Sequence, residues 1–155
     1  MTENPYKAPE AAVVSSEPTV TSRKQLVPIW IKIFGWFFMV AAVLIAPYMI
    51  WSFIAGADVA IELFGVSYAG PAAHPYAFIA FALFAFLGIT AYGLLFGKDW
   101  GVTGCLVNGY LGVAICILAI VLSGGTNIRA EPIVHFFYLR RLHKIRKPWS
   151  DMKSN

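Results

Sequence analysis

The side chains able to do chemistry in this chain are few: three histidines, two cysteines, eight carboxylates and one asparagine deep in an apolar run. Metal binding needs several ligands converging on one point. The topology derived below puts His74 outside, His143 inside and His135 between them, beside Phe136 and Phe137. His135 is therefore expected to be a hydrogen-bonded helix residue, and no metal or cofactor is expected. Cys105 and Cys116 lie eleven residues apart in one apolar segment. On a helix that is about 16 Å, whereas a disulfide needs Cα atoms about 4.4–6.8 Å apart. They read as small packing residues. Asn108 is the one strongly polar side chain well inside a long apolar run. An interhelical hydrogen bond of about 0.6–2 kcal/mol is the role expected of it. No phosphate-binding glycine loop, nucleophile elbow, H-E-x-x-H or dinucleotide fingerprint occurs. Residues 33–57, 76–97 and 101–123 hold no Asp, Glu, Arg or His. That weakens a proton-coupled transporter of the small four-helix multidrug type, an intramembrane protease and a quinone-linked thiol oxidase, each of which needs such groups in the membrane.

The elements that must position these residues are membrane elements. The chain is 59% apolar and 13% charged, against about 45–50% and about 25% in soluble domains. Twenty charged side chains cannot coat so much hydrocarbon. This excludes an ordinary soluble enzyme, a disulfide scaffold and, despite the net charge of +4, a nucleic-acid module. The expected fold is all-α: a polytopic membrane bundle of four helices, the fourth short and basic at its end. Spans are expected at about 28–56, 76–96, 101–123 and 126–143. The first 24 residues are polar, contain Pro5, Pro9 and Pro18, and do not begin like a cleaved signal peptide. They give a disordered cytoplasmic tail over 1–27, with a second short tail at 150–155. Trp30 and Trp36 near one end of the first span, and Tyr48 and Trp51 toward the other, suit the two membrane interfaces. Lys32 snorkels, and Pro47 is expected to kink the helix.

Residues 57–75 form an extracytoplasmic loop. Asp58 and Glu62 are four apart, with Val59, Leu63 and Val66 on another face, and this spacing suits an interfacial half-turn or short helix. Gly97-Lys98-Asp99-Trp100 allows only a tight turn, so spans two and three form an antiparallel hairpin.

The fourth segment is too short by composition alone, with eight uncharged residues between Glu131 and Arg140. Charge decides for it. With four spans and a cytoplasmic N-terminus, eleven of the twelve Lys and Arg lie inside and only Arg129 outside. Three spans give seven against five, or the reverse. The positive-inside rule favours four. Arg129 is then placed to pair with Asp58 or Glu62. Beyond Leu139, Tyr138, Leu142, Ile145 and Trp149 recur every three or four residues, so the helix is expected to continue along the inner membrane surface. Arg140, Arg141, Lys144, Arg146 and Lys147 there would contact anionic lipid headgroups, each adding about 1 kcal/mol.

Gly101, Cys105, Asn108, Gly112, Cys116, Ala119 and Ser123 share one face of the third span. Small residues let membrane helices approach closely, so this is the expected helix-packing face, with Ala85, Gly88 and Tyr92 of the second span opposite.

The opening Asn4-Pro5-Tyr6-Lys7-Ala8-Pro9 and the junction Ala91-Tyr92-Gly93-Leu94-Leu95-Phe96-Gly97-Lys98-Asp99-Trp100 resemble small bacterial inner-membrane proteins with an NPYxAP-type cytoplasmic tail and about four transmembrane helices. The resemblance implies a helical bundle in a bacterial inner membrane. It brings no catalytic or binding residues with it. The expected function is non-enzymatic: an accessory or scaffold subunit packing against itself or another membrane protein through the Gly101–Ser123 face. A membrane immunity or stress-response factor against a pore-forming toxin, and a small oligomeric transporter or channel, are the alternatives.

Overall fold

Twenty-five uncharged residues from Ile33 to Ala57 leave the backbone only its own carbonyls to bond in hydrocarbon, and a helix is the solution. In the computed structural model, which describes residues 22–64, 66–123 and 131–152, that helix is α2 (Ile29–Ala55), about 40 Å long at 1.5 Å per residue. Its end is set by Gly56, in the left-handed region at φ 63°. The Gly56 and Ala57 amides turn back to the Phe53 and Ser52 carbonyls, the paired closure that glycine permits. Helix α2 continues through Pro47, whose missing N–H leaves the Val43 carbonyl without its helical donor. Helices α3 (Pro75–Leu95) and α4 (Gly101–Leu122) follow. These three are long and apolar enough to cross a membrane. Most of their surface faces outward, with Ile33, Phe37, Val43, Leu44 and Ile54 all more than 60% exposed. Such a surface suits lipid rather than water.

The fold departs from all-α between α2 and α3. Residues expected to form a short helix instead make a β-hairpin, β1 (Asp58–Leu63) and β2 (Val66–Pro71), antiparallel with Leu63 opposite Val66. The reason is alternation. Val59, Ile61 and Leu63 point inward between Asp58, Ala60 and Glu62, and a period of two fits a half-buried strand. The four-residue spacing of Asp58 and Glu62 fits either element. Val59 packs with Met49, Ala72 and Ala77, which seats the hairpin on the ends of α2 and α3. Phe64 takes φ 52° at the first position of the two-residue loop, as tight hairpins require, and is buried. Arg129, the expected partner of Asp58 or Glu62, lies outside the described residues.

The expected fourth helix is α5 (Glu131–Asp151); residues 126–130 of the expected 126–143 span lie outside the described residues. Helix α5 runs back along α4: Glu131 meets Cys116, His135 lies over Gly112, Leu139 over Gly109, and Trp149 reaches Lys98. Each step up α4 is a step back along α5. Leu139, Leu142, Ile145 and Trp149 are buried together with Ile31, Leu94, Val102 and Leu106, so the stripe read as membrane-seeking is the inner face of the bundle. Arg140, Arg141, Lys144, Arg146 and Lys147 all remain exposed on the other side.

The tail expected over 1–27 also needs correction. Residues 1–21 lie outside the described part, but α1 (Arg23–Leu26) is ordered. Arg23 and Val27 are buried. The Arg23 guanidinium donates to the carbonyls of Trp149, Gly97 and Met152 and to the Asp99 carboxylate, and it lies 5.8 Å from the centre of the Trp149 ring. A charge leaves water only when its donors are satisfied in this way. The Trp149 indole N–H closes the knot on the Lys98 carbonyl. The start of the described chain, the α3–α4 turn and the end of α5 therefore meet at one end of the bundle, with the hairpin at the other.

Candidate functional site

The small residues predicted to pack do so within the chain. Gly101 brings α4 against the backbone of Gly93: a Cβ there would lie 2.4 Å from the Gly93 carbonyl oxygen. The Cys105 thiol donates to the Thr90 carbonyl at 3.3 Å and Asn108 Nδ2 to Thr90 Oγ1 at 3.2 Å. Gly112 sits under His135 and Phe64, and the Cys116 thiol is 3.6 Å from Glu131 Oε2. Ala119 and Ser123 are half-buried. The face therefore serves α3 at its start and α5 further along. The expected partner face on α3 is different from the observed one. Gly88 turns to α2, where an added Cβ would lie 2.3 Å from that of Ala42, while Thr90 and Gly93 meet α4. The two contacts follow from one another, because α3 sits between α2 and α4.

Sequential packing of α2 on α3, α3 on α4 and α4 on α5 leaves α2 and α5 as flanks. They meet through the edge-on pair Trp30 and Tyr138, centroids 6.5 Å apart. Between them lies a partly enclosed cavity of about 530 Å³. From α2 it takes Trp30, Phe34, Phe37, Phe38, Ala41 and Ile45, a stripe at helical spacing. From α3 come Phe84, Leu87, Thr90, Ala91 and Leu94, and from α4 Cys105, Asn108 and Gly109. Helix α5 adds Glu131, Val134, His135 and Tyr138 at i, i+3, i+4 and i+7, and the hairpin closes one end with Glu62, Leu63 and Phe64. Ala41, Ala91 and Gly109 face the space with little side chain, and the aromatic rings surround it.

Polar groups in this wall are mostly spoken for. Thr90 Oγ1 donates to the Leu87 carbonyl at 3.0 Å, so it can only accept from Asn108. His135 Nδ1 lies 2.9 Å from the Glu131 carbonyl; a carbonyl only accepts, so Nδ1 carries the proton and, in the neutral ring, Nε2 is an acceptor. Asn108 Oδ1 is buried without a partner. The other histidines stand elsewhere. His74 caps α3 by accepting from the Tyr76 amide at 3.2 Å, and His143 pairs with the Tyr110 hydroxyl at 2.7 Å on the outer face. Among the described residues no three His, Cys, Asp or Glu are grouped as metal ligands.

Sequence reasoning placed Asn108 and His135 in the bundle but did not find the cavity, nor Glu62 and Glu131 in its wall. The signal available was the aromatic stripe of α2, which on composition alone is indistinguishable from a lipid-facing surface. No protein-family model, no curated protein and no solved structure matches this chain.

Proposed function

We propose that the chain is a non-enzymatic, multi-pass accessory protein of the bacterial inner membrane that holds a lipid-sized apolar molecule between α2 and α5. In this reading α5 crosses the bilayer with α2, α3 and α4, both ends of the chain are cytoplasmic and the hairpin is outside. The meeting of Arg23, Asp99 and Trp149 at one end supports it, as does the excess of cationic residues assigned to that side. A scaffold role through the Gly101–Ser123 row is less favoured, because Gly101, Cys105, Asn108, Gly112 and Cys116 are buried within the chain.

The cavity is the observation that carries the proposal. Water is a poor filling, since it needs two to four polar partners and the walls are mainly aromatic and aliphatic. Hydrocarbon fits, and pockets of about 300–1,000 Å³ with few polar groups are what small ligands occupy.

Native mass spectrometry of the full chain in mild detergent tests this. The wild type should carry a co-purifying adduct of lipid size, and Ala41→Phe, which fills the space, should lose it while keeping its helical circular dichroism. A wild-type chain that is bare in every detergent, and takes up no added long-chain lipid, would overturn the proposal.

A further inference from the structure

We propose that the outer flank of α4 and α5 draws phospholipid headgroups about 10 Å deeper than they lie against α2, and holds their phosphates between Tyr110 and a ramp of cations on α5. The proposal rests on the bundle crossing a membrane and is independent of what the cavity holds.

Register gives the depth. Leu139 lies over Gly109, and the Trp149 indole reaches Lys98. Gly109 is eight residues, about 12 Å, in from the start of α4, a helix long and apolar enough to cross the membrane. Arg140 therefore stands about 10 Å inside that end, and Lys147 close to it. Arg140, His143, Lys144 and Lys147 fall at i, i+3, i+4 and i+7, on one face, and all four are exposed. Tyr110, itself exposed on α4, joins that face with its hydroxyl 2.7 Å from His143 Nε2. Toward the hairpin the same side of α5 exposes Ile133, Phe136 and Phe137. On this flank the apolar surface thus ends between Phe137 and Arg140. On α2 it runs on. Gly35 lies against Leu95 at the end of α3, and its neighbours Ile33, Phe37 and Val40 are all exposed.

The cations cannot easily climb out of this step. Helix α5 runs toward the end in question, so its Cα–Cβ bonds tilt back toward the hairpin, and Arg140 and Lys144 set out away from the near surface. No Asp or Glu occurs in residues 101–123 or 132–150, so neither helix offers them a carboxylate along this stretch. Uncompensated cations in hydrocarbon are costly, and local thinning of the bilayer relieves the cost. Phosphate supplies both the opposite charge and the acceptor oxygens that Arg and Lys require.

The test measures depth with a nitroxide at Val107→Cys on α4 or Val40→Cys on α2, in the full chain with Cys105 and Cys116 changed to serine. Ala42 lies against Gly88, and Thr90 against Cys105 and Asn108, so in a flat bilayer Val40 is no deeper than Val107. Collision with oxygen against a water-soluble nickel chelate reads the depth in vesicles of phosphatidylglycerol and phosphatidylcholine. The label at Val107 should lie about 5–10 Å nearer the headgroups than the label at Val40. Adding Arg140→Gln, Lys144→Gln and Lys147→Gln should remove the difference, and vesicles of phosphate-free digalactosyldiacylglycerol should at least halve it. The comparison of the two labels needs no change of charge, so it decides the matter even if the triple glutamine variant does not fold. Equal depths, or a difference untouched by the glutamines or by the galactolipid, overturn the proposal. Two labels that both collide as freely with the chelate as a label in water overturn the membrane crossing itself.

Discussion

Replacing Arg23 by alanine should release the end of α5. The bond from Nε to the Trp149 carbonyl, 3.0 Å and buried, is charge-assisted and contributes about 1.5–3 kcal/mol. The Gly97 and Met152 carbonyls are part-buried; they can turn to water once the arginine is gone, so together they add about 1 kcal/mol. The Asp99 carboxylate is 72% exposed, and screening keeps that pair below about 1 kcal/mol. The guanidinium over the Trp149 ring adds about 0.5 kcal/mol. The total, about 3–5 kcal/mol, corresponds to at least a hundredfold in the opening equilibrium of this end. Hydrogen exchange of residues 145–152 in detergent or nanodiscs measures it directly. Arg23→Ala should raise their exchange by about that factor. Arg23→Lys keeps the charge but loses the planar fork and should recover less than half of the protection. Asp99→Asn should cost less than tenfold. Exchange in Arg23→Ala within about fivefold of wild type would refute the reasoning, because the buried arginine would then hold nothing.

Other consequences are equally direct. Gly101→Ala should cost about 1–3 kcal/mol or more, since its Cβ meets the Gly93 backbone at 2.4–2.6 Å. Gly104→Ala, where the nearest atom is a Thr90 methyl at 3.0 Å, should be much milder; thermal unfolding in detergent compares the two, and equal effects would contradict the packing. Replacing Arg140, Arg141, Lys144, Arg146 and Lys147 by glutamine should abolish stabilisation by phosphatidylglycerol over phosphatidylcholine, at about 1 kcal/mol per cation lost. If the thermal shift between the two lipids survives the five changes, those side chains do not contact headgroups.

Three helices were legible because length and the absence of charge dictate them: the expected 28–56, 76–96 and 101–123 differ from α2, α3 and α4 by at most one residue at either end, within the fraying of any helix boundary. The hairpin was not, because the reading followed the four-residue spacing of Asp58 and Glu62, which satisfies a strand and a helix alike, and not the alternation of Val59, Ile61 and Leu63, which favours a strand. The inward stripe of α5 was legible as a period, but a period does not say whether lipid or protein lies against it. Arg23 was read as part of a polar tail. Its burial depends on the carbonyls of Gly97, Trp149 and Met152, which come together only once the chain has folded. The cavity was hidden for the same reason. Phe34, Phe38, Leu87, Asn108 and His135 come from four helices, and only their packing order leaves a space between α2 and α5.

The account depends above all on α5 returning along α4, so that its last turn lies at the end opposite the hairpin. Impermeant thiol labelling measures this directly. With Cys105 and Cys116 changed to serine, single cysteines are introduced as Ala60→Cys in β1 or Ser150→Cys in α5, both exposed positions. In intact cells with a permeabilised outer membrane, Ala60→Cys should label at once and Ser150→Cys only after the inner membrane is opened. Labelling of both from the same side without opening the inner membrane would place α5 outside the crossing bundle, and the cavity between α2 and α5 would lose its wall.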